Sequence, residues 1–546
     1  MSTTSSASES SHSPRRWAGL VFISIAVSLI IVDSTIVNVA IPSIVLDLRI
    51  DSTGVQWVQE SYTLVFAALL LVFGALGDRF GRRRILLIGV VVFAASSIAA
   101  ASADSGELLV TARLVQGVGG AMVLPSTLSL INAEFTGSER AVAFAVWGST
   151  IGGMSALGPL LGGWLTTSFS WRWAFGINVP LAVLIVVGAL LTVRESRDDG
   201  RRRLDPLGAA LSVVASASLV FALIEGRRYG WWTIEHRPSI GSWQWPGTLS
   251  PIPFALALAL LAIGACAAWA ISRARRGRES MFAVELLQIR SFRNGNLAAL
   301  IVSLGEFGII LALPIWLQNV LGYSALETGL ILLALAVGSF AASGLAGALS
   351  GRMSPVVVVR AGLGAEIVGV AGLGLVIGPD TSWGALVPFL FVYGFGVGLA
   401  TAQLTGVILT DVPVAASGKA SGLQSTSRQI GSALGIAVLG TVLFSSASGL
   451  LTSSLTNRGL PEAQRDAIVS AVVDSSGGAI TALESSPGTA AIADDAKSAF
   501  SEGTRYAAWS AAGFLVIGLL ATLSLSTLPK ERASVSPARS SAASGS

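Results

Sequence analysis

Three charged side chains stand deep inside apolar runs, where charge is most costly. Asp33 lies within Ile31-Val32-Asp33-Ser34-Thr35-Ile36, Arg113 opens Arg113-Leu114-Val115-Gln116-Gly117, and Glu306 sits between Gly305 and Gly308. A carboxylate at the centre of a bilayer costs about 2.5–3.5 kcal/mol on insertion scales, so one retained there is a functional candidate. The chemistry open to Asp33 is reversible protonation. A structural acid would instead be satisfied by neighbouring hydroxyls or a buried arginine. Arg113 keeps its proton, so its use would be to tune a nearby carboxylate, and Gln116 shares its helix face. Asp33 is the partner this reading gives it, although an arginine near the outer end of a helix can also snorkel to the interface. Glu306 is a second protonatable or cation-binding acid.

The elements that hold these residues are apolar helices. The 546-residue chain is 52% hydrophobic and 12% charged, with a mean hydropathy of +0.72; soluble domains carry roughly twice that charged fraction. About 20 apolar residues cross a bilayer. On that measure fourteen spans are expected, at roughly 17–39, 55–76, 85–103, 107–131, 141–165, 172–193, 206–225 and 251–271, then 294–317, 328–349, 356–377, 383–410, 419–446 and 505–528. The short turn Gly74-Ala75-Leu76-Gly77-Asp78-Arg79-Phe80-Gly81-Arg82-Arg83-Arg84 joins two spans and is strongly basic. The excess of arginine in this and alternate loops predicts that both termini are cytoplasmic. The preponderance of Arg over Lys, with abundant Ala and Gly, suggests a GC-rich bacterial genome and hence a bacterial cytoplasmic membrane.

The expected organisation is a disordered N-terminus (1–16), a six-helix bundle (17–200), two linker helices (201–292), a second six-helix bundle (293–530) and a disordered tail (531–546). Met1 to Pro14 is Ser/Thr-rich and does not read as a cleavable signal. Gly347-Ala348-Leu349-Ser350-Gly351-Arg352 echoes the turn at Gly74 without its acid, as two related halves would. Tyr229 to Pro253, rich in Trp, reads as an outer loop at the interface. Ser448 to Gly503 reads as a long solvated outer loop, with a short amphipathic helix at Pro461 to Val473.

Several motifs together resemble the major facilitator superfamily, and within it the fourteen-span drug:proton antiporters. The turn at Gly74 is similar to the superfamily's signature loop between its second and third helices. The resemblance implies a conformational switch at Gly74, Gly77, Asp78, Arg79, Gly81, Arg82 and Arg83. Arg113-x-x-Gln116-Gly117 is similar to a signature whose arginine is implicated in proton transfer, and the stretch around Asp33 to a first-helix signature whose acid couples protons. Gly148-Ser149-Thr150-Ile151-Gly152, followed by Gly158-Pro159 and Gly162-Gly163, resembles the antiporter motif, which implies export; physically it is also a smooth face for close helix packing.

Further positions follow from the same resemblance. Glu60 replaces a small neutral residue more usual in the family, so it is expected to tune the charge preference of a substrate cavity. That cavity would also include Gln116, Phe307, Trp316 and Arg428. Arg428 is expected near the cytoplasmic side, bridging to a helix end. Trp147 and Tyr393 join the same aromatic set, with plain packing as the alternative, and Glu366 is either a further buried acid or part of loop-side packing. The fold class expected is an all-α membrane protein with two six-helix bundles and two extra central helices.

The function implied is proton-coupled efflux of hydrophobic or amphipathic drugs, with a dedicated metabolite or lipid exporter, or a symporter, as alternatives on the same fold. An ATP-driven pump is disfavoured because Gly418-Lys419 is followed by Ala420, so no phosphate-binding Gly-x4-Gly-Lys-Ser/Thr forms. The lone cysteine, Cys266, and two histidines, His12 and His236, argue against a metal site. Neither a cofactor nor a nucleic acid is expected. The partners are small hydrophobic substrates, protons and the bilayer, and the protein is expected to be a monomer and not an enzyme.

Overall fold

The computed structural model describes residues 14–50, 52–197, 205–235, 237–240, 243–276, 284–349 and 353–525. The expected terminal tails, residues 198–204 and 277–283 at the edges of the two linker helices, and the repeat of the signature turn at 350–352 therefore lie largely outside the described residues. The side-chain surroundings of Glu60 lie outside them too.

Seventeen α-helices are described. The first seven are α1 (Pro14–Leu48), α2 (Ser52–Phe80), α3 (Arg82–Ala101), α4 (Gly106–Glu134), α5 (Gly137–Ser168), α6 (Trp173–Gly176) and α7 (Asn178–Thr192). Next come α8 (Pro206–Tyr229) and α9 (Ile252–Arg275). The rest are α10 (Arg290–Asn319), α11 (Ala325–Leu349), α12 (Pro355–Val376), α13 (Trp383–Leu409), α14 (Ser417–Asn457), α15 (Glu462–Asp474), α16 (Ala479–Ser485) and α17 (Ala490–Ala521). Among the described residues, twelve helices are long and apolar enough to cross a bilayer. The other two expected positions are held by α5 and α11, of 32 and 25 residues. This is a multi-pass membrane protein.

Local chemistry explains many boundaries. Ser105 caps α4 by accepting from the Leu108 N–H, and Asp205 caps α8 through Gly208, with Pro206 in the first turn. The hairpin between α2 and α3 turns on Gly81, whose φ of 111° excludes most other residues. At the far end of α1, Arg172 and the Trp171 indole bind Asp47 and hold its carboxyl below the usual range.

Two long connecting segments hold more regular structure than expected. Ser448 to Gly503 is mostly helical: α14 runs on to Asn457, α15 occupies the predicted amphipathic stretch, and α17 begins at Ala490. Serine content suggested a loop there. The alanines favour helix, and Val472, Ile480 and Phe500 are buried as part of the main apolar core, with Arg458 paired to Asp495. Between α8 and α9, Ser239–Ile240 pairs antiparallel with Trp243–Gln244. Trp232 there is exposed and the Trp245 indole donates to the Leu249 carbonyl.

In the first half α1 packs on α5, and α4 on α2 and α3; in the second, α10 packs on α14 and α17, and α13 on α11 and α12. The halves meet where α5 lies against α11 and α13, and where α14 lies against α2 and α4. The helix pair α8 and α9 lies beside the α2–α14 seam. The α5 glycines make one of the close joints. A Cβ on Gly158 would stand 1.8 Å from Thr35 Oγ1, and one on Gly162 2.9 Å from the Ile36 carbonyl oxygen, both on α1. Gly153 faces Phe340 of α11 at 2.4 Å, and Gly163 approaches Leu326 at 3.7 Å. Gly148 is buried in the same helix, Pro159 lies within it, and the surroundings of Gly152 fall outside the described residues.

Gly158→Val is therefore expected to lower the thermal unfolding midpoint of the detergent-solubilised protein, since overpacking costs about 1–3 kcal/mol. Gly264→Ala in α9, where a Cβ would meet nothing within 4 Å, is the matched control and should leave the midpoint unchanged or slightly raised.

Candidate functional site

Five helices converge on Asp33, which has no exposed surface. Arg113 Nη1 lies 2.6 Å from Asp33 Oδ2. Gln116 Nε2 and Asn178 Nδ2 each donate to Oδ1 at 2.7 Å. Both amides also reach Ser97 Oγ on α3, at 2.9 and 3.1 Å. Arg113 donates in addition to the Gln116 side-chain oxygen at 2.7 Å and to the Val58 carbonyl at 3.2 Å. Its guanidinium lies 4.4 Å from the centroid of the Tyr62 ring, a cation–π contact that supports the charge in an apolar setting. Arg113 is buried in this pair and does not snorkel.

The surroundings are sealed. Val32, Ile36, Val58, Leu109, Ala112 and Phe175 form an apolar shell around the pair. Gly158 packs within a turn of Asp33, its hypothetical Cβ 3.3 Å from the Val32 carbonyl. An acid bound by a guanidinium and two amides exchanges its proton only when those bonds rearrange. Neutralising an ionised Asp33 would change three hydrogen-bonded partners at once, Arg113, Gln116 and Asn178.

Asn178 and Ser97 were not among the residues singled out from the sequence. Each is an isolated polar residue in an apolar run, a signal that spacing alone does not raise above the many serines of this chain. Asn178 reaches Asp33 because the expected helix at 172–193 is split at Ile177, which makes it the first residue of α7.

The second assembly lies at the signature turn. Asp78 is buried and accepts from Arg82 Nη2 at 2.7 Å and Nε at 3.1 Å. It also accepts from the backbone N–H groups of Gly418 at 2.7 Å and Lys419 at 2.9 Å. Those two N–H groups are the free donors at the start of α14, so the carboxylate of one half caps a helix of the other. Arg82 continues across the seam to the Val414 carbonyl at 2.5 Å. Close approach requires Gly74 and Gly418: a Cβ on Gly74 would stand 2.3 Å from the Gly418 oxygen. Gly77 has ordinary room, 3.8 Å from Ser126 Oγ.

A parallel device sits beside it. Glu195 accepts from the N–H groups of Arg83 at 3.0 Å and Arg84 at 3.2 Å, capping α3. A Cβ on Gly81 would collide with that carboxylate at 2.7 Å, a second reason for glycine there. Arg83 Nη1 donates to the Val193 carbonyl, and Arg79 lies exposed over the Phe80 ring. Asn132 Nδ2 donates to Ser417 Oγ at 3.0 Å, adding an α4–α14 link across the same end.

The second half holds its own buried charges. Arg428 Nη2 lies 3.6 Å from Glu306 Oε2, and Thr401 Oγ1 donates to Glu306 Oε1 at 3.0 Å. Arg428 therefore pairs with an intramembrane acid; the expected bridge to a helix end is corrected. Ser417, Ser421, Gln424, Ser425 and Arg428 share one face of α14, which makes a polar stripe from the Asp78 contact to Glu306. Phe307, beside Glu306, is half-buried. Trp316 and Trp147 are fully packed, their indoles bound to Ser501 and Thr127. In this conformation both are core residues, not cavity walls, as the packing alternative has it. Gln116, expected in the cavity, is committed to Asp33.

Comparison with known proteins agrees with this architecture. The profile described as Major Facilitator Superfamily matches residues 23–436. The chain is 35% identical to a probable actinorhodin transporter of Streptomyces coelicolor, over 81% of this chain and 74% of that protein. It is 34% identical to the multidrug resistance protein Stp of Mycobacterium tuberculosis, over 82% of this chain and 79% of the relative. It is also 34% identical to the multidrug efflux pump LfrA of Mycolicibacterium smegmatis, over 90% and 92%. In fold it is similar to the crystal structure of the human organic anion transporter MFSD10 (TETRAN), with a TM-score of 0.57 at 13% identity, covering 94% of this chain and 100% of that one.

The cap geometry predicts that Asp78→Asn loosens this end. A charged buried hydrogen bond is worth about 1.5–3 kcal/mol, so thiol labelling of Ser421→Cys in a Cys266→Ser background should speed up about ten-fold or more in detergent. An unchanged rate would remove Asp78 from the closure.

Proposed function

The chain belongs to the major facilitator superfamily, and on that premise we propose that it is a proton-coupled exporter of hydrophobic or amphipathic compounds across the bacterial cytoplasmic membrane. Both termini and the Asp78 turn would face the cytoplasm, and the protein would work as a monomer. The two six-helix bundles would rock about the α5–α11 and α2–α14 seams, with the Asp78 cap as the cytoplasmic latch. The reading rests on one observation above others: a fully buried Asp33–Arg113 pair packed directly against the α5 glycine face.

In this scheme a proton entering from outside neutralises Asp33, and Arg113 is left to Gln116 and the Tyr62 face. Loss of the ion pair relaxes the α1–α4 contact, and through Gly158 and Gly162 that change reaches α5 and the opposite half. Glu60, an acid where the family more often has a small neutral residue, would tune the charge preference of the cavity. The similarity to drug-efflux relatives supports breadth of substrate. The likeness to a probable actinorhodin transporter favours a second reading, a dedicated exporter of one natural product. A panel of unrelated dyes and antibiotics separates the two.

Reconstitution in liposomes with an imposed proton gradient tests the coupling. Asp33→Asn keeps the volume and part of the hydrogen bonding but removes the titrating group. Gradient-driven accumulation of a fluorescent substrate should disappear while exchange of substrate down its own gradient persists, and Arg113→Ala should give a milder defect. Full uphill accumulation by Asp33→Asn would show that the coupling proton rides elsewhere.

A further inference from the structure

Asn178 holds Asp33 with only half of its amide. Nδ2 donates to Asp33 Oδ1 at 2.7 Å and to Ser97 Oγ at 3.1 Å. Asn178 Oδ1 is buried and has no hydrogen-bond partner among the described residues. A buried acceptor left without a donor forfeits its solvation, and this one sits beside the buried acid of the first half.

The groups around Asp33 supply donors. Arg113 Nη1 and Gln116 Nε2 both donate to the carboxylate, and the Gln116 side-chain oxygen is taken by Arg113. The Ser97 hydroxyl commits its proton to the Phe93 carbonyl at 2.7 Å and accepts from both amides. That set suits an ionised acid. A protonated acid carries an O–H that needs an acceptor, and a guanidinium has none to offer. The charged and titratable groups facing the site are Arg113 on α4 and Tyr62 on α2, stacked on that guanidinium. α6 and α7 contain no charged residue, and those of α3 and α5 lie in their first turns, at the Asp78 end. The Tyr62 hydroxyl points at Gly120, whose Cβ would lie 3.1 Å from it, about one turn of α4 beyond Gln116. Asn178 Oδ1 is therefore the open side-chain acceptor on a residue already bound to Asp33.

We propose that Asn178 is a positioning residue that follows the charge of Asp33: its amide donates to the carboxylate and, after a half-turn about its Cβ–Cγ bond, accepts from the carboxylic acid. The proton taken up by Asp33 then sits on the oxygen facing Asn178 and is donated to Asn178 Oδ1. Arg113 has no equivalent option, because every N–H of a guanidinium donates. The α1–α7 bond thus survives protonation with its polarity reversed, while the α1–α4 ion pair is lost. The helix set free by the proton is α4, and α1 keeps α7 as its companion. The inference rests on the exporter reading in taking Asp33 as the coupling acid, and its test reads the two residues separately.

The experiment is pH-difference infrared spectroscopy on the full chain in liposomes, with isotope-labelled asparagine to set its side-chain carbonyl bands apart. On acidification the parent protein should gain a protonated-carboxyl band that is missing in Asp33→Asn. With the same pH dependence, one asparagine carbonyl band should move to lower frequency, as an unbonded oxygen becomes a bonded one. Asp33→Asn should lack both changes. Asn178→Leu, or the milder Asn178→Ser where the first fails to insert, should keep the Asp33 band and lose the asparagine change. An amide that merely ties α7 to α1 would donate at every pH and leave its carbonyl band in place. An Asp33 band that rises with no accompanying asparagine change would overturn the proposal and leave the exporter reading intact. No Asp33 band at any pH would remove Asp33 as the coupling acid, and the proposal with it.

Discussion

A charge in hydrocarbon must be paired or neutralised, and the first half of this protein is arranged around one such charge. Asp33 draws Arg113, Gln116, Ser97 and Asn178 into a single network, so α1, α3, α4 and α7 are held by polar bonds in a setting where apolar packing gives little preference for one helix neighbour over another. Breaking a buried pair by removing one partner costs about 3–5 kcal/mol. In the proposed mechanism, protonation of Asp33 would apply a change of the same kind reversibly.

The connection to the rest of the molecule is steric. Gly158 and Gly162 allow α5 to lie against α1 beside Asp33, while Gly153 and Gly163 of the same helix face α11 of the opposite half. In the proposed mechanism this helix, wedged between the acid and the other bundle, would convert a local shift into a relative movement of halves. At the far end of the seam the contacts that would resist that movement are electrostatic. Asp78 caps α14 across the interface, and its neighbour Glu195 caps α3, so both helix starts are closed by carboxylates from other segments.

Much of this was legible in the sequence because the membrane makes the code simple. Apolar length marked the twelve candidate spans, and the intramembrane charges marked the site. The Asp33–Arg113 partnership followed from there being few charges to pair. What escaped was set by tertiary contact. Asn178 and Ser97 look like any polar residue in an apolar run until α7 and α3 are brought to α1. Arg428 finds Glu306 through the packing of α14 on α10, which no local pattern encodes. Apart from its short amphipathic helix the 448–503 segment reads as loop, because its serines mask alanines that a neighbouring apolar patch makes helical.

If the charge on Asp33 governs the closure at Asp78, the two must titrate together. Spin labels at Thr136→Cys and Thr410→Cys, exposed positions in opposite halves near the Asp78 end, report that closure as a distance in a Cys266→Ser background. In the parent protein the distance distribution should change with pH, and in Asp33→Asn it should stay fixed in one population across the same range. A distribution that shifts with pH in Asp33→Asn as it does in the parent would contradict the coupling of the buried pair to the latch.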